Sequence, residues 1–464
     1  MAKGLLRGTI TFVISVVLGV ALLAASYALV PTSKIQERLA IDWPALEQNW
    51  GFQTYPYVPN GATDSATDYH MLAIAAFDEY QDPLRAAMEA PFNVDKEDIQ
   101  QINHLKASLH LAEVDHTATY TRYWHGYLVP LKLELFFMGY YSVLFYNGAA
   151  LLALVVAVAL LLHKRGLGLL TVPLLLAMVL SGPLNVSLTM ELYGCAYLTL
   201  ITLALVLVLG ERIDPVAGTF FLGVGIVVNY VDFLTYPIVT LGIPLMVYAL
   251  MPHSSRYRFT IRRTLMVCAC WAIGYAGMWV AKWAVGSLIL GQNLFEDALS
   301  QATVRMSSSA DHIITEASKH ISYLDVLGAE WGRMLGTYPA MACAALVVIG
   351  LAVLTFLRRE TVRQNAARIR PAILPLAICT IMPFVWAFAL KNHSYMHSYF
   401  TFRMFAPTVA APLCLWASLL LPKVQGVPSD EATALEPAPK ERTEQSAPLE
   451  RTPGAHFAKT RNGR

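Results

Sequence analysis

Charge is what this sequence has least of. Asp, Glu, Lys and Arg make up 14% of the 464 residues, while hydrophobic residues make up 56%. A soluble domain rarely combines so little charge with so much apolar residue, so a water-soluble globular enzyme is excluded. Short segments of strictly alternating polarity are also missing, which excludes a transmembrane β-barrel. Cysteine is sparse and badly placed for cross-linking. The six, Cys195, Cys268, Cys270, Cys343, Cys379 and Cys414, all lie in apolar runs. No disulfide therefore holds the polar inserts, and Cys268-Ala269-Cys270 inside an apolar helix is a poor metal motif. These cysteines read as small packing residues. The net charge of +2 says little by itself, no nucleic-acid partner is expected, and we find no internal repeat.

What is present is a series of apolar runs near the length a bilayer demands, about 20 residues per span. Helices satisfy their own backbone in lipid, so the expected fold is an all-α polytopic membrane protein. The runs are 8–30, 142–162, 167–186, 193–210, 216–233, 237–251, 264–290, 336–357, 371–390 and 404–421, about ten transmembrane helices. The first could be mistaken for a signal peptide. Its apolar core is too long for a typical h-region and no clear cleavage site follows, so residues 1–30 are expected to stay as a helix.

Polar stretches divide the rest. Residues 31–141 form a large insert, ending in an amphipathic interfacial helix over 131–141 where Lys132 and Glu134 stand among Leu and Phe. Within it, 68–80 and 95–112 read as helices, the second from Ile99, Ile102, Leu105 and Leu109. Spans two to seven occupy 142–290, a second insert 291–335, and the last three spans 336–421. Residues 422–464 are rich in Pro, Glu, Ala, Lys and Arg and read as a disordered tail. The loops 163–166, 211–215, 252–263 and 358–370 carry most of the Lys and Arg of the short loops. The positive-inside rule makes those loops and both termini cytoplasmic, and both inserts extracytoplasmic.

Ionisable residues avoid the middles of the spans. Glu191, Asp232, Lys282, Lys391 and Arg403 crowd toward the ends nearest the inserts. Intramembrane charge is expensive and marks function by default. A proton-coupled transporter would carry such residues near the midplane. Here they favour an enzyme or binder working at the outer face.

The candidate centre is Thr67-Asp68-Tyr69-His70-Met71-Leu72 in the first insert. Asp64 and Asp68 are four apart and would share a helical face. Alternatively, Asp64 or Thr67 precedes the helix and caps it. Arg122, Trp124 and His125 return to the membrane at the other end of the insert, as interfacial anchors or substrate contacts. Asp232 sits at a tight turn between spans, where it caps the next helix, is solvated, or faces a cavity. Lys391, Asn392, His393, His397 and Arg403 form the densest polar stretch near the membrane. They suit an anion site facing lipid head groups, or an ordinary loop with a snorkelling Arg403. His393 and His397 have ligand-compatible spacing, but no carboxylate lies beside them in sequence, so no metal site is assigned. The second insert, with Arg305, Asp311, His312, Ile313, Ile314, Ala317 and His320, reads as a lid or acceptor loop.

Taken together, these motifs resemble a known group. Thr67-Asp68, Arg122-Tyr123-Trp124-His125-Gly126-Tyr127, Asp232-Phe233-Leu234-Thr235-Tyr236-Pro237 and Asn392-His393-Ser394 with His397 and Arg403 look like uncharacterised bacterial membrane proteins linked to surface polysaccharides. The architecture resembles the GT-C superfamily of integral-membrane glycosyltransferases over roughly residues 8–421. That resemblance implies a polyprenyl-phosphate-linked sugar donor, a cell-envelope glycan acceptor and the bilayer as partners; no cofactor is assigned, and the sequence does not indicate a divalent metal. It implies an acidic residue of the first insert as base or acceptor anchor, best matched by Asp68, with Asp64 and Asp232 as the other acidic candidates. The family often has a compact acidic pair soon after the first span. Here the tighter groups, Asp78-Glu79, Glu97-Asp98 and Glu113-Val114-Asp115, come later. A transporter of lipid-linked glycan and a membrane acyltransferase are the alternative readings.

Overall fold

Apolar side chains of the spans point outward as well as inward. Leu18 is 53% exposed, Ile273 62% and Leu346 70%, on helices that a soluble protein would have to cover. Lipid covers such faces, and the chain is a multi-pass membrane protein. The structure, a computed structural model, describes residues 2–54, 62–95, 100–253, 257, 259–309 and 320–422, with backbone alone for residues 2, 52–54, 62 and 64. The expected tail lies outside the described residues, apart from its first residue.

Among the described residues, seven stretches are long and apolar enough to cross a membrane: Lys3–Leu29, Tyr140–Lys164, Met190–Val231, Ile261–Leu290, Tyr338–Leu357, Arg370–Ala389 and Ser398–Leu419. The third is divided at Gly210, whose positive φ turns the chain. Two shorter apolar helices, Gly168–Leu180 and Val239–Leu250, stand where further spans are expected. The second of these is buried along nearly its whole length, so protein rather than lipid surrounds it.

The first helix, α1 (Ala2–Leu29), leads into the insert. There follow α2 (Thr32–Gln48), α3 (Ala66–Ala76), α4 (Pro83–Glu89), α5 (Gln101–Ser108) and α6 (Leu128–Phe137). Two small antiparallel pairs interrupt the helices: β1 (Phe52–Thr54) with β2 (Ala62–Asp64), and β3 (Pro91–Asp95) with β4 (Val114–Thr119). The sequence reading has no strands here. They are three to six residues long, too short to display a period. Strand β3 also displaces the start of the helix expected over 95–112 to Gln101, leaving Ile102 and Leu105 buried as their spacing requires. The helix α2 is likewise additional to the expected elements.

The centre of the insert is α3. Met71, Leu72, Ala73, Ile74, Ala75 and Ala76 are at most 2% exposed, packed with Leu23 and Tyr27 of α1 and Leu128 and Leu135 of α6. A helix apolar on every side must be enclosed, so the rest of the insert wraps it.

The spanning region comprises α7 (Tyr140–Lys164), α8 (Thr171–Leu180), α9 (Pro183–Leu188), α10 (Tyr193–Leu209), α11 (Ala217–Val231), α12 (Val239–Leu250) and α13 (Ile261–Leu290). The second insert contributes α14 (Leu294–Met306) and α15 (Tyr323–Leu335). The chain then forms α16 (Tyr338–Leu357), α17 (Arg359–Asn365), α18 (Arg370–Ala389), α19 (Lys391–Met396), α20 (Ser398–Thr401) and α21 (Ala406–Leu419). Close approach of α11 and α13 depends on Gly225 and Gly274. A Cβ at either would meet the carbonyl of Trp271 or Leu222 on the facing helix. At the far end of α10, Asp214 accepts from Arg263 at 2.8 Å and pairs with His253 at 2.9 Å, which ties the connection after α10 to the start of α13.

Candidate functional site

The site is organised by the short 3-10 turn Met190–Leu192, between α9 and α10. Asp68, on the first turn of α3, is fully buried and fastens to this turn. Its Oδ2 accepts the Met190 N–H at 3.0 Å and the Tyr140 hydroxyl at 2.9 Å. Its Oδ1 accepts the Glu191 N–H at 3.2 Å. A buried carboxylate is tolerated where such donors meet it. On the other side, the Tyr236 hydroxyl donates to Leu192 O at 2.8 Å. The turn is thus held from both the insert and the bundle.

Two cavities flank α10 next to this turn. One, of about 220 Å³, is lined almost wholly by aliphatic side chains of α7, α8, α10 and α12. Its charged lining residue is Arg403, accompanied by Tyr236. Arg403 is 1% exposed and donates to Tyr399 O at 3.1 Å and Phe400 O at 3.3 Å, and its Nε has no partner among the described residues. The other cavity, of about 370 Å³, is more polar, with Glu134, Asn147, Glu191, Tyr193 and Tyr197 among its lining. Glu134 receives Asn147 Nδ2 at 3.2 Å, and burial raises its carboxyl above the usual range. Successive faces of α10 line the two cavities: Ala196, Thr199, Leu200 and Leu203 the first, Tyr193, Gly194, Tyr197 and Leu198 the second. Near the Met190–Leu192 turn, Glu191 of the second lining interacts electrostatically with Tyr236 and Arg403 of the first.

The remaining sequence candidates occupy other positions. Asp64 ends β2, and its side chain lies outside what is described. Asp232 binds its own turn, accepting the Leu234 N–H at 2.8 Å, the Thr235 N–H at 3.1 Å and the Thr235 hydroxyl. Cys195 Sγ donates to it at 3.3 Å. This fixes Leu234 at a positive φ of 70°, and His393 Nε2 then meets Leu234 O at 2.8 Å. Lys391 donates to Ser308 Oγ at 2.7 Å and lies over the Tyr323 ring, and Asn392 donates to Ser309 O at 2.6 Å. These two residues therefore dock the second insert. Burial, then the neighbouring His397, keeps His393 well below the ordinary histidine range. Burial and Arg305 bring His397 down to about 4. Both rings are neutral near pH 7 and offer hydrogen bonds instead of charge.

The aromatic re-entry motif forms a corner. Trp124 Nε1 donates to Met278 O at 2.7 Å, joining the insert to α13. His125 has φ 57° and bridges Tyr120 O at 2.8 Å and the Tyr127 hydroxyl at 3.2 Å. Gly126 N–H then reaches Tyr230 O at 2.8 Å. Arg122 pairs with Asp297 of α14 at 2.9 Å. Lys282, wholly buried, donates to Met88 O at 2.9 Å on α4. Ile313, Ile314 and Ala317 of the second insert lie outside the described residues.

The sequence thus brings Asp68 and Arg403 to the two sides of one turn, while Asp232, His393 and Lys391 form a neighbouring bracket. Tyr140, Tyr236, Glu134 and Arg305 were not among the assigned site residues. Glu191 was visible as a carboxylate within an apolar run, but its cavity was not. Among the described residues, Asp78, Glu79 and His110 have geometry compatible with a metal ion, but all are exposed and line neither cavity. No family model matches the chain, and no curated protein or solved structure matches it.

Proposed function

We propose that this chain is a bacterial GT-C-like glycosyltransferase of the cytoplasmic membrane. It would move a sugar from a polyprenyl-phosphate donor to a cell-envelope glycan acceptor outside that membrane. In this reading about ten spans carry the fold, the inserts are extracytoplasmic and both termini are cytoplasmic.

The observation that carries it is the apolar cavity that ends on Arg403. Aliphatic walls accept a hydrocarbon chain. A buried guanidinium with an unused Nε–H accepts one anionic head group. An amphiphile with a long apolar tail and a phosphate combines both features. As the sugar–phosphate bond breaks, charge grows on the phosphate oxygen, and a fixed cation in a dry site stabilises it. The carboxylate chemistry that transfer requires is supplied at the Asp68–Glu191 contact, beside that cation. The neighbouring polar cavity then holds the acceptor.

The test is the lipid carried by the purified protein. Wild-type protein extracted from bacterial membranes is expected to retain polyprenyl phosphate or its sugar conjugate, detected by mass spectrometry. Folded Arg403→Ala is expected to retain at least about 10-fold less, the loss of roughly 1.4 kcal/mol or more of charge-assisted bonding. Equal amounts of ordinary phospholipid alone in both proteins would overturn the reading.

A further inference from the structure

Asp68 is the acidic residue that the sequence pattern singles out, yet it lines neither cavity. Its two oxygens are committed to Tyr140, Met190 and Glu191, at 0% exposure. A carboxylate held by three donors is a poor proton acceptor, because those donors favour its charged form and must be weakened to protonate it. What Asp68 does is fix the backbone that presents Glu191. Glu191 has the opposite placement: its residue lines the 370 Å³ cavity and it interacts electrostatically with Arg403 at the end of the apolar one.

We infer that Glu191 is the proton acceptor of the transfer reaction, that the cavity it lines holds the hydroxyl-bearing sugar acceptor, and that Asp68 is its positioning residue. The inference rests on the glycosyltransferase reading. The cavity has the chemistry for a polyol. Tyr193, Tyr197 and Asn147 offer ring faces and hydrogen-bonding groups, and Glu134 adds a second carboxylate. Tyr197 is already oriented, donating to Asn147 Oδ1 at 2.8 Å. Glu134 is the competing base. It is tied to Asn147 at 3.2 Å, whereas Glu191 interacts electrostatically with Arg403.

The step is a single displacement. An acceptor hydroxyl oxygen bonds to the anomeric carbon of the donor sugar. The bond from that carbon to the phosphate oxygen breaks, and its electron pair leaves on the phosphate, facing Arg403. The hydroxyl proton passes to the Glu191 carboxylate. No oxidant, reductant or further reactant is needed. The titratable and charged groups around Glu191 are Asp68 on α3, Tyr127 and Glu134 at α6, Tyr193 and Tyr197 on α10, and Tyr236 and Arg403 from the bundle. A pH profile must be read against all of them.

The experiment uses membranes of a strain lacking this protein, complemented with full-length variants. The donor is the polyprenyl-phosphate lipid extract of the deletion strain, and the acceptor is its isolated envelope glycan. Protein level is checked by immunoblot. Glu191→Gln is expected to lower the transfer rate by about 10²-fold or more and to remove the acid limb of the pH–rate profile, with Glu191→Asp partly restoring both. Tyr140→Phe removes one of the three Asp68 donors and spares the carboxylate. It is expected to lower kcat a few-fold, with the donor KM unchanged and the acid limb displaced. Asp68→Asn should do the same more strongly.

A deletion strain with unchanged glycans and no accumulated lipid-linked sugar removes the transferase reading, and the inference with it. A deletion phenotype fully rescued by Glu191→Gln overturns the inference alone. So does an acid limb that vanishes in Glu134→Gln while Glu191→Gln keeps it.

Discussion

The Asp68 carboxylate accepts the backbone N–H of Glu191 at 3.2 Å, joining residues 123 positions apart across the boundary between insert and bundle. The contact places the sequence's most conspicuous aspartate behind the site. A cavity-lining glutamate stands in front of it.

Replacing Asp68 with Asn keeps the size but removes one acceptor and the charge. At least one of the donors from Tyr140, Met190 and Glu191 then faces an amide N–H₂. A loss of about 1–3 kcal/mol is expected. Thermal unfolding in detergent should show it as a lowered midpoint, with Tyr140→Phe lowering it less.

Gly126→Ala should detach the insert corner. A Cβ there would lie 2.6 Å from Tyr230 O and collide with the Tyr230 ring. Overpacking of this kind costs about 1–3 kcal/mol. Limited proteolysis of the insert should accelerate in the variant, whereas Gly51→Ala, with nothing within 4 Å among the described residues, is limited to the strain of its positive φ.

Acid should loosen the insert through His70. Burial, then His104, lowers this imidazole from the ordinary value of 6.5 to about 4. Its ring packs against Phe92 at 4.6 Å and Tyr120 at 5.4 Å. The folded state holds it neutral while an unfolded chain takes up the proton. Its contribution is therefore complete above about pH 6.5 and is lost as pH falls from there toward 4. The unfolding midpoint should drop across that window by a few degrees more in wild type than in His70→Phe.

Glu330 gives a second pH-sensitive contact, of opposite sign. Burial lifts its carboxyl well above the usual range, although the Thr401 hydroxyl donates to it at 2.7 Å. The folded state favours the protonated acid, so its contribution is complete below about pH 4.5 and declines as pH rises through the folded value. Glu330→Gln should raise the midpoint at pH 8 and change it little at pH 4.5.

Much of the framework was legible because a bilayer imposes a length on apolar runs. The seven long spans follow from that, while the short helix expected over 68–80 is found at Ala66–Ala76 and its complete burial was not legible. The strands β1 to β4 were not legible, since segments of three to six residues carry no readable period. The site was legible only in part. Asp68, Asp232 and Arg403 stood out as costly ionisable residues in apolar surroundings. Spacing could not show that Asp68 and Asp232 spend their oxygens on backbone N–H groups while Arg403 Nε meets no partner among the described residues. Nor could it show that Tyr140 binds the Asp68 carboxylate and Tyr236 the Leu192 carbonyl beside Glu191, because a tyrosine near a helix end looks the same whether it anchors to lipid or to a buried acceptor.

The most direct test compares envelope glycans and polyprenyl-phosphate sugars in wild-type cells, cells lacking this protein and cells carrying Arg403→Ala. The account predicts a missing glycan constituent and an accumulated lipid-linked sugar, the same in the deletion and the point variant. Wild-type glycans and wild-type lipid pools in all three strains would contradict it.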